Sequence, residues 1–165
     1  MTNDFSNISI SLFANLSKNL KEKLPGFGGC ASEAGTCIQY EFDIKSGYVN
    51  DLAITPAKRP DVKDSLETIN KVREGDLTIR DMGYFAIDYF RIVQQKGASF
   101  LSRLNPRVVV FQKKGNKFEE IDFEGLYQMM TQNNIERLDK QVFIGMEEKF
   151  PVRLVIGLMP KDIVA

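Results

Sequence analysis

The chain contains no histidine, so a reaction carried by its own side chains has to use carboxylates, hydroxyls, amines or thiols rather than imidazole. Among the carboxylates, Asp81 is the best placed. It follows Leu77-Thr78-Ile79-Arg80 and precedes Met82-Gly83, the pattern of a short strand that turns into a helix. Ligands of open α/β sheets bind in the crevice beyond the carboxyl ends of the strands. Period-two alternation points Asp81 to the side of Leu77 and Ile79, and a carboxylate there is able to hold a divalent cation. Gly83, lacking a side chain, would let a backbone or a phosphate come close. Local sequence alone favours a plainer role for Asp81, the N-cap of the following helix.

The remaining chemistry is distributed more thinly. Lysine plus arginine and aspartate plus glutamate each number 22, so attraction to a polyanion has to come from local clusters. One cluster stands out: Arg91, Lys96, Arg103, Arg107, Lys113, Lys114 and Lys117 follow one another with no acidic residue between them. A phosphate-facing strip and a solvated face fit this block equally well. Cys30 and Cys37 are too few for a disulfide framework and, without histidine, poor zinc ligands. Pro60-Asp61 with Glu147-Glu148-Lys149 is a remote candidate for a restriction-type nuclease pair, which normally lies on one hairpin. Tyr84 and Phe85, at the start of a helix, fit the core better than a base-stacking platform.

These residues must be positioned by a mixture of strands and helices. Alternation predicts strands at 8–13, 37–44 and 48–55, the last two joined at Lys45-Ser46-Gly47 as a hairpin. Leu16, Leu20 and Leu24 share a helical spacing over 14–24, and glycines then mark a loop to about Thr36. A helix is predicted from Asp61, as N-cap, with Val62, Leu66, Ile69 and Val72 on one face. Strand 77–80 and a helix over 84–95 closed by Gly97 carry Asp81 between them. Beyond Ala98 the pattern is mostly strands, at 99–104, 107–112, 117–122, 141–146 and 151–158, with a short helix over 124–131. The order implies an α/β, mixed α+β fold around a mixed sheet. Absence of a long apolar run or a leader pattern points away from a membrane and towards the cytoplasm.

The run Gly75-Asp76-Leu77-Thr78-Ile79-Arg80-Asp81-Met82-Gly83-Tyr84-Phe85 resembles the second-aspartate motif of the DDE transposases of bacterial insertion sequences, in the insertion sequence four group. The resemblance continues upstream in Pro25-Gly26-Phe27-Gly28-Gly29-Cys30-Ala31-Ser32, in Gln39-Tyr40-Glu41-Phe42-Asp43 and in the connection from Pro56 to Asp61. Downstream it continues in Ser102-Arg103-Leu104. It covers roughly residues 4 to 160.

The resemblance implies an RNase H-like mixed sheet, incomplete here, with a β-rich insertion after the strand and helix of the second aspartate. It divides the chain into a partial core at 1–97 and the insertion at 98–165, packed as one unit. In the family three carboxylates hold Mg²⁺ (or Mn²⁺) for DNA cleavage and strand transfer, two-metal chemistry that needs no histidine. Asp81 corresponds to the second carboxylate, and Asp4, in Asp4-Phe5-Ser6, is the nearest match to the first. The third, a glutamate in a Tyr-Arg-Glu-Lys pattern, has no counterpart, and Glu147 and Glu148 do not match it. Arg103, Arg107, Lys113 and Lys114 become candidate phosphate contacts to double-stranded DNA at transposon ends. The expected activity is that of a transposase fragment, inactive alone. The alternative is a non-catalytic module that binds DNA or inhibits transposase, with a homodimer or full-length transposase as possible partner.

Overall fold

A computed structural model describes residues 6–26 and 34–159. The chain forms two compact units, Met1–Asn105 and Pro106–Ala165.

The first unit is built on a five-stranded sheet. Its strands are β1 (Ser6–Leu16), β2 (Ala34–Asp43), β3 (Val49–Pro56), β4 (Leu77–Arg80) and β5 (Ser99–Ser102), in the order β3-β2-β1-β4-β5. β1, β4 and β5 are parallel, and β2 runs antiparallel to both β1 and β3. The hairpin of β2 and β3 forms where alternation predicts it. Asp43 fixes its turn by accepting from the backbone N–H groups of Lys45 and Ser46.

Over 14–24 the structure departs from the helical expectation. β1 continues to Leu16, paired with β2 as far as Ala34, and only a 3-10 turn at Lys18–Leu20 follows. Leu20 is exposed, so the leucine spacing has no surface to pack on, and strand pairing decides the conformation.

Two helices cover one face of this sheet. α1 (Asp61–Thr68) connects β3 to β4 and continues as a 3-10 turn to Lys71. Pro60 rather than Asp61 is its N-cap, leaving Asp61 as the first helical residue, where a negative charge complements the helix dipole. α2 (Ile87–Gln95) connects β4 to β5 after a 3-10 turn at Met82–Tyr84. Gly97, at φ 73°, lets the chain leave α2 in the left-handed conformation that a side chain disfavours. The ring of Phe90 on α2 stacks on Phe100 of β5 at 4.2 Å between centroids. Tyr89 and Val93 are fully buried beside it.

The second unit is a four-stranded antiparallel sheet with one helix. Its strands are β6 (Val110–Lys114), β7 (Lys117–Glu120), β8 (Arg137–Ile144) and β9 (Phe150–Gly157), in the order β7-β6-β8-β9. α3 (Phe123–Gln132) begins at Asp122, whose carboxylate accepts from the backbone N–H of Glu124 and of Gly125, each at 3.1 Å. Val110, Ile121, Met130, Val142, Ile144 and Phe150 form its core.

Candidate functional site

The site begins with the alternation of β4. Thr78 and Arg80 point beneath the helices and are buried, whereas Leu77 and Ile79 point to the other face. Asp81 continues the second series and stands just past the strand, level with Ile10 in the middle of β1 and just beyond the carboxyl end of β5. A groove of about 490 Å³ opens there, lined by Ile8, Ile10, Ile79, Leu101, Asp81 and Arg103 among others. The Asp81 side chain is 62% exposed, and its carboxylate lies 3.7 Å from the Arg103 guanidinium. Asp81 occupies the N-cap position of the 3-10 turn but makes no side-chain cap hydrogen bond. Its carboxylate is therefore left to face solvent, where a cation or a phosphate-bound ion can reach it.

Arg80, its neighbour in sequence, is held in the opposite way. Its guanidinium donates to Glu41 Oε2 at 2.8 Å and to Thr68 Oγ1 at 3.0 Å. It also lies over the rings of Tyr89 and Tyr84, at 4.7 and 5.4 Å from their centroids. Burial pushes the Glu41 carboxyl above its ordinary value, and the Arg80 charge offsets this only in part. The pair joins β2, β4, α1 and α2 directly beneath the strand end that presents Asp81.

A second buried set lies on the same face. Tyr84 donates its hydroxyl to Gln39 Oε1, and Gln39 Nε2 donates to Asp61 Oδ1 at 2.7 Å. Burial, with Asp61 nearby, pushes the Tyr84 hydroxyl well above its usual range. The Cys37 thiol is raised to about 11 by burial and by Asp61 and Asp64. Gly83 is explained by this set rather than by a ligand: a Cβ there would come within 2.7 Å of Asp61 Oδ2. Tyr84 is buried, and Phe85 meets Phe90 edge-on at 4.9 Å, so both belong to the core.

The structure brings together two of the residues singled out in the sequence, Asp81 and Arg103. Asp4 lies outside the described residues, as does Cys30. Arg107, Lys113 and Lys114 belong to the second unit, and all three are exposed. Lys113 and Lys114 are consecutive in β6, so strand alternation sends them to opposite faces. Lys114 pairs with Glu119 at 2.6 Å. Asp61 and the 147–149 segment fall in different units, unlike the single hairpin of a restriction-type pair.

The donor set beside Asp81 falls short of a metal cage. The β1 residues lining the groove are Ile8, Ser9 and Ile10, none of them a carboxylate. Among the described residues no group of three or more cysteine, aspartate or glutamate side chains could hold an ion. The buried Arg80–Glu41 pair is the feature that reading the sequence missed; Gln39, Glu41, Asp43, Thr78 and Arg80, alternating with apolar residues, were its signal.

Residues 11–146 match the family model of the transposase DDE domain. The transposase of insertion sequence element IS231B from Bacillus thuringiensis subsp. berliner is 32% identical over 152 residues, covering 84% of this chain and 32% of that protein. That of IS1151 from Clostridium perfringens is 29% identical over 170 residues, covering 94% of this chain and 35% of that protein. A cryo-EM structure of the piggyBac transposase synaptic complex with hairpin DNA matches at a TM-score of 0.41 and 10% identity, over 91% of this chain and 32% of that one. The chain thus spans about a third of the length of the curated relatives it matches. With most of both units inside the matched span, the chain belongs to the transposase DDE domain family.

Proposed function

We propose that this chain is the part of a DNA transposase that supplies one carboxylate, Asp81, and a phosphate-binding cation, Arg103, to a site for divalent-metal-dependent cleavage and strand transfer. The observation that carries the reading is the exposed, uncapped carboxylate at the end of a central parallel strand. The order β3-β2-β1-β4-β5, with β2 reversed, supports an RNase H-like core, and the β-rich insertion then follows β5, in the unit Pro106–Ala165. In such a site Mg²⁺ or Mn²⁺ would polarise the phosphate and activate the attacking oxygen. Asp81 provides one ligand, and any further protein ligands come from sequence beyond the described residues. Arg103, 3.7 Å from Asp81, is placed to hold a phosphate oxygen next to that ion. Arg107, Lys113 and Lys114 serve as positioning contacts to the DNA backbone rather than as readers of sequence.

Because the described residues that line the groove add no second carboxylate to Asp81, and no group of three or more ligating side chains forms among them, the chain alone is expected to retain duplex DNA without nicking it. This also keeps open the reading of a non-catalytic module that associates with full-length transposase or with itself. A mobility-shift assay on transposon-end duplexes, run beside a nicking assay with Mg²⁺, tests the proposal. Retention that weakens with salt and on Arg103→Ala is the expected result. Retention that Arg103→Ala leaves unchanged would remove Arg103 from the site. Nicking that survives Asp81→Asn would remove Asp81.

A further inference from the structure

Asp81 owes its place to the backbone, because its side chain is held by little. The carboxylate makes no cap hydrogen bond, and the cation beside it, Arg103, has a side chain that is itself 77% exposed. The sheet does not hold Asp81 either, since the ladders of β4 with β1 and with β5 both end at Arg80. Beyond that residue the chain turns through Met82–Tyr84. There the Tyr84 N–H donates to Asp81 O at 3.0 Å and the Phe85 N–H to Met82 O at 3.1 Å.

Both ends of this turn are tied to β2, two strands away in the sheet. Arg80, before the turn, donates to Glu41 Oε2 at 2.8 Å, and Tyr84, at its end, donates to Gln39 Oε1. Gln39 and Glu41 lie two apart in one strand, so they share a face, and both are buried. With neighbouring strands about 4.8 Å apart, each tie has to span about 10 Å over β1. The β1 residues opposite Glu41 and Gln39 are Ser9 and Ser11, whose short side chains leave room for Arg80 and Tyr84 to pass. Ser9 Oγ also donates to Glu41 Oε2 at 3.4 Å. The middle of the turn rests on Asp61, which accepts from Gln39 Nε2 at 2.7 Å and comes so close to Gly83 that a Cβ there would lie 2.7 Å from its Oδ2.

We propose that Gln39 and Glu41 are positioning residues for Asp81: through Tyr84 and Arg80 they clamp the turn at both ends and so present its carboxylate to the groove in one place. A carboxylate that meets an ion beside a phosphate gains from being held in advance, because its ordering is complete before the ligand arrives. The use of the clamp rests on the reading of Asp81 as an ion-binding group. The clamp itself concerns the backbone of 81–85, and separate signals report on the two.

The test compares the whole isotope-labelled chain with Tyr84→Phe and Gln39→Met, which remove the donor and the acceptor of one tie, and with Thr36→Val as control. The control deletes a different buried hydrogen bond of β2, from Thr36 Oγ1 to Thr55 O at 3.0 Å, so it lowers stability without touching the turn. One signal is hydrogen exchange at the Tyr84 and Phe85 amides; the other is the Mn²⁺ concentration that half-broadens the Met82 amide. Both tie variants should exchange at least about tenfold faster there than the control does, because the turn opens locally. Their Mn²⁺ midpoint should rise at least about threefold, since a loosened carboxylate is ordered only on binding. For the other tie, Glu41→Gln keeps an acceptor for Arg80 and should behave as the unaltered chain, whereas Glu41→Met should behave as Gln39→Met does; should Glu41→Met not fold, the Gln39 tie carries the test. Exchange rates and midpoints in Tyr84→Phe and Gln39→Met that match Thr36→Val would overturn the proposal and leave the two residues a role in stability alone. An unaltered chain without broadening at Met82 would sink the ion reading, while faster exchange in the tie variants would still uphold the clamp.

Discussion

The two faces of the five-stranded sheet reverse the usual arrangement. The face beneath α1 and α2 buries Asn7, Ser9, Gln39, Glu41, Thr78 and Arg80, and the face that lies open carries most of the sheet's aliphatic and aromatic residues, Phe100 excepted. A polar buried layer is stable only when its groups find partners. Here they do so in large part, through the Arg80–Glu41 and Tyr84–Gln39–Asp61 contacts, although Arg80 Nε and Nη1 have none. The comparison teaches that the helices are fixed by specific polar geometry, while the open face offers unspecific apolar area to something else. Asp81 belongs to the open face and its neighbour Arg80 to the buried one, so the two faces meet at the candidate site.

The largest expected effect is on the buried side. Arg80→Ala strands Glu41 without its partner and should cost about 3–5 kcal/mol in urea unfolding. Arg80→Met combined with Glu41→Leu should recover most of that loss; if it does not, the pair fixes the packing in a way that apolar groups cannot replace. Next, Tyr84→Phe leaves Gln39 Oε1 buried without its donor, at about 1–3 kcal/mol in the same experiment. A change within about 0.5 kcal/mol would mean that water reaches Gln39.

A third, smaller effect is a pH dependence. Burial raises the Glu41 carboxyl above its ordinary value of 4.5, so the folded chain holds that proton to higher pH than the unfolded one. The stability this contributes is complete below 4.5 and is lost as pH rises through the folded value. Glu41→Gln should flatten this decline in urea midpoints measured on either side of that window; Asp64, raised in the same direction by burial, leaves a residue of it. An unchanged profile would place the titration elsewhere. The smallest effect belongs to the open face: Leu52→Lys should alter stability by less than about 0.5 kcal/mol. A loss of several times that amount would show that the face is already packed.

Much of the framework was legible in the sequence. The hairpin of β2 and β3, strand β4 and the helix that follows it lie where alternation and glycines put them, because these local patterns agree with their tertiary surroundings. The family was also legible, in the run around Asp81. What could not be read was the sense of the alternation. In β2 and β4 polar residues alternate with apolar ones, and the usual rule sends the apolar set inward. The buried polar face depends on partners 39 residues apart for Arg80–Glu41 and 45 for Tyr84–Gln39, and no local pattern records such pairs. The leucines of 14–24 misled for the same reason, since helical spacing without a surface to pack on yields to strand pairing. Among the predicted DNA contacts, consecutive Lys113 and Lys114 looked like one cluster, yet a strand separates them onto two faces.

The account depends most on Asp81 being a carboxylate available to a divalent ion. Adding Mn²⁺ to the isotope-labelled chain and following paramagnetic broadening of backbone amide signals tests this directly, because it detects even a weak site completed by water. The expected result is broadening centred on Asp81 and Met82 and extending to Ile10 and Leu101, removed by Asp81→Asn with the rest of the spectrum unchanged. Broadening that is centred elsewhere, or that persists in Asp81→Asn, would contradict it.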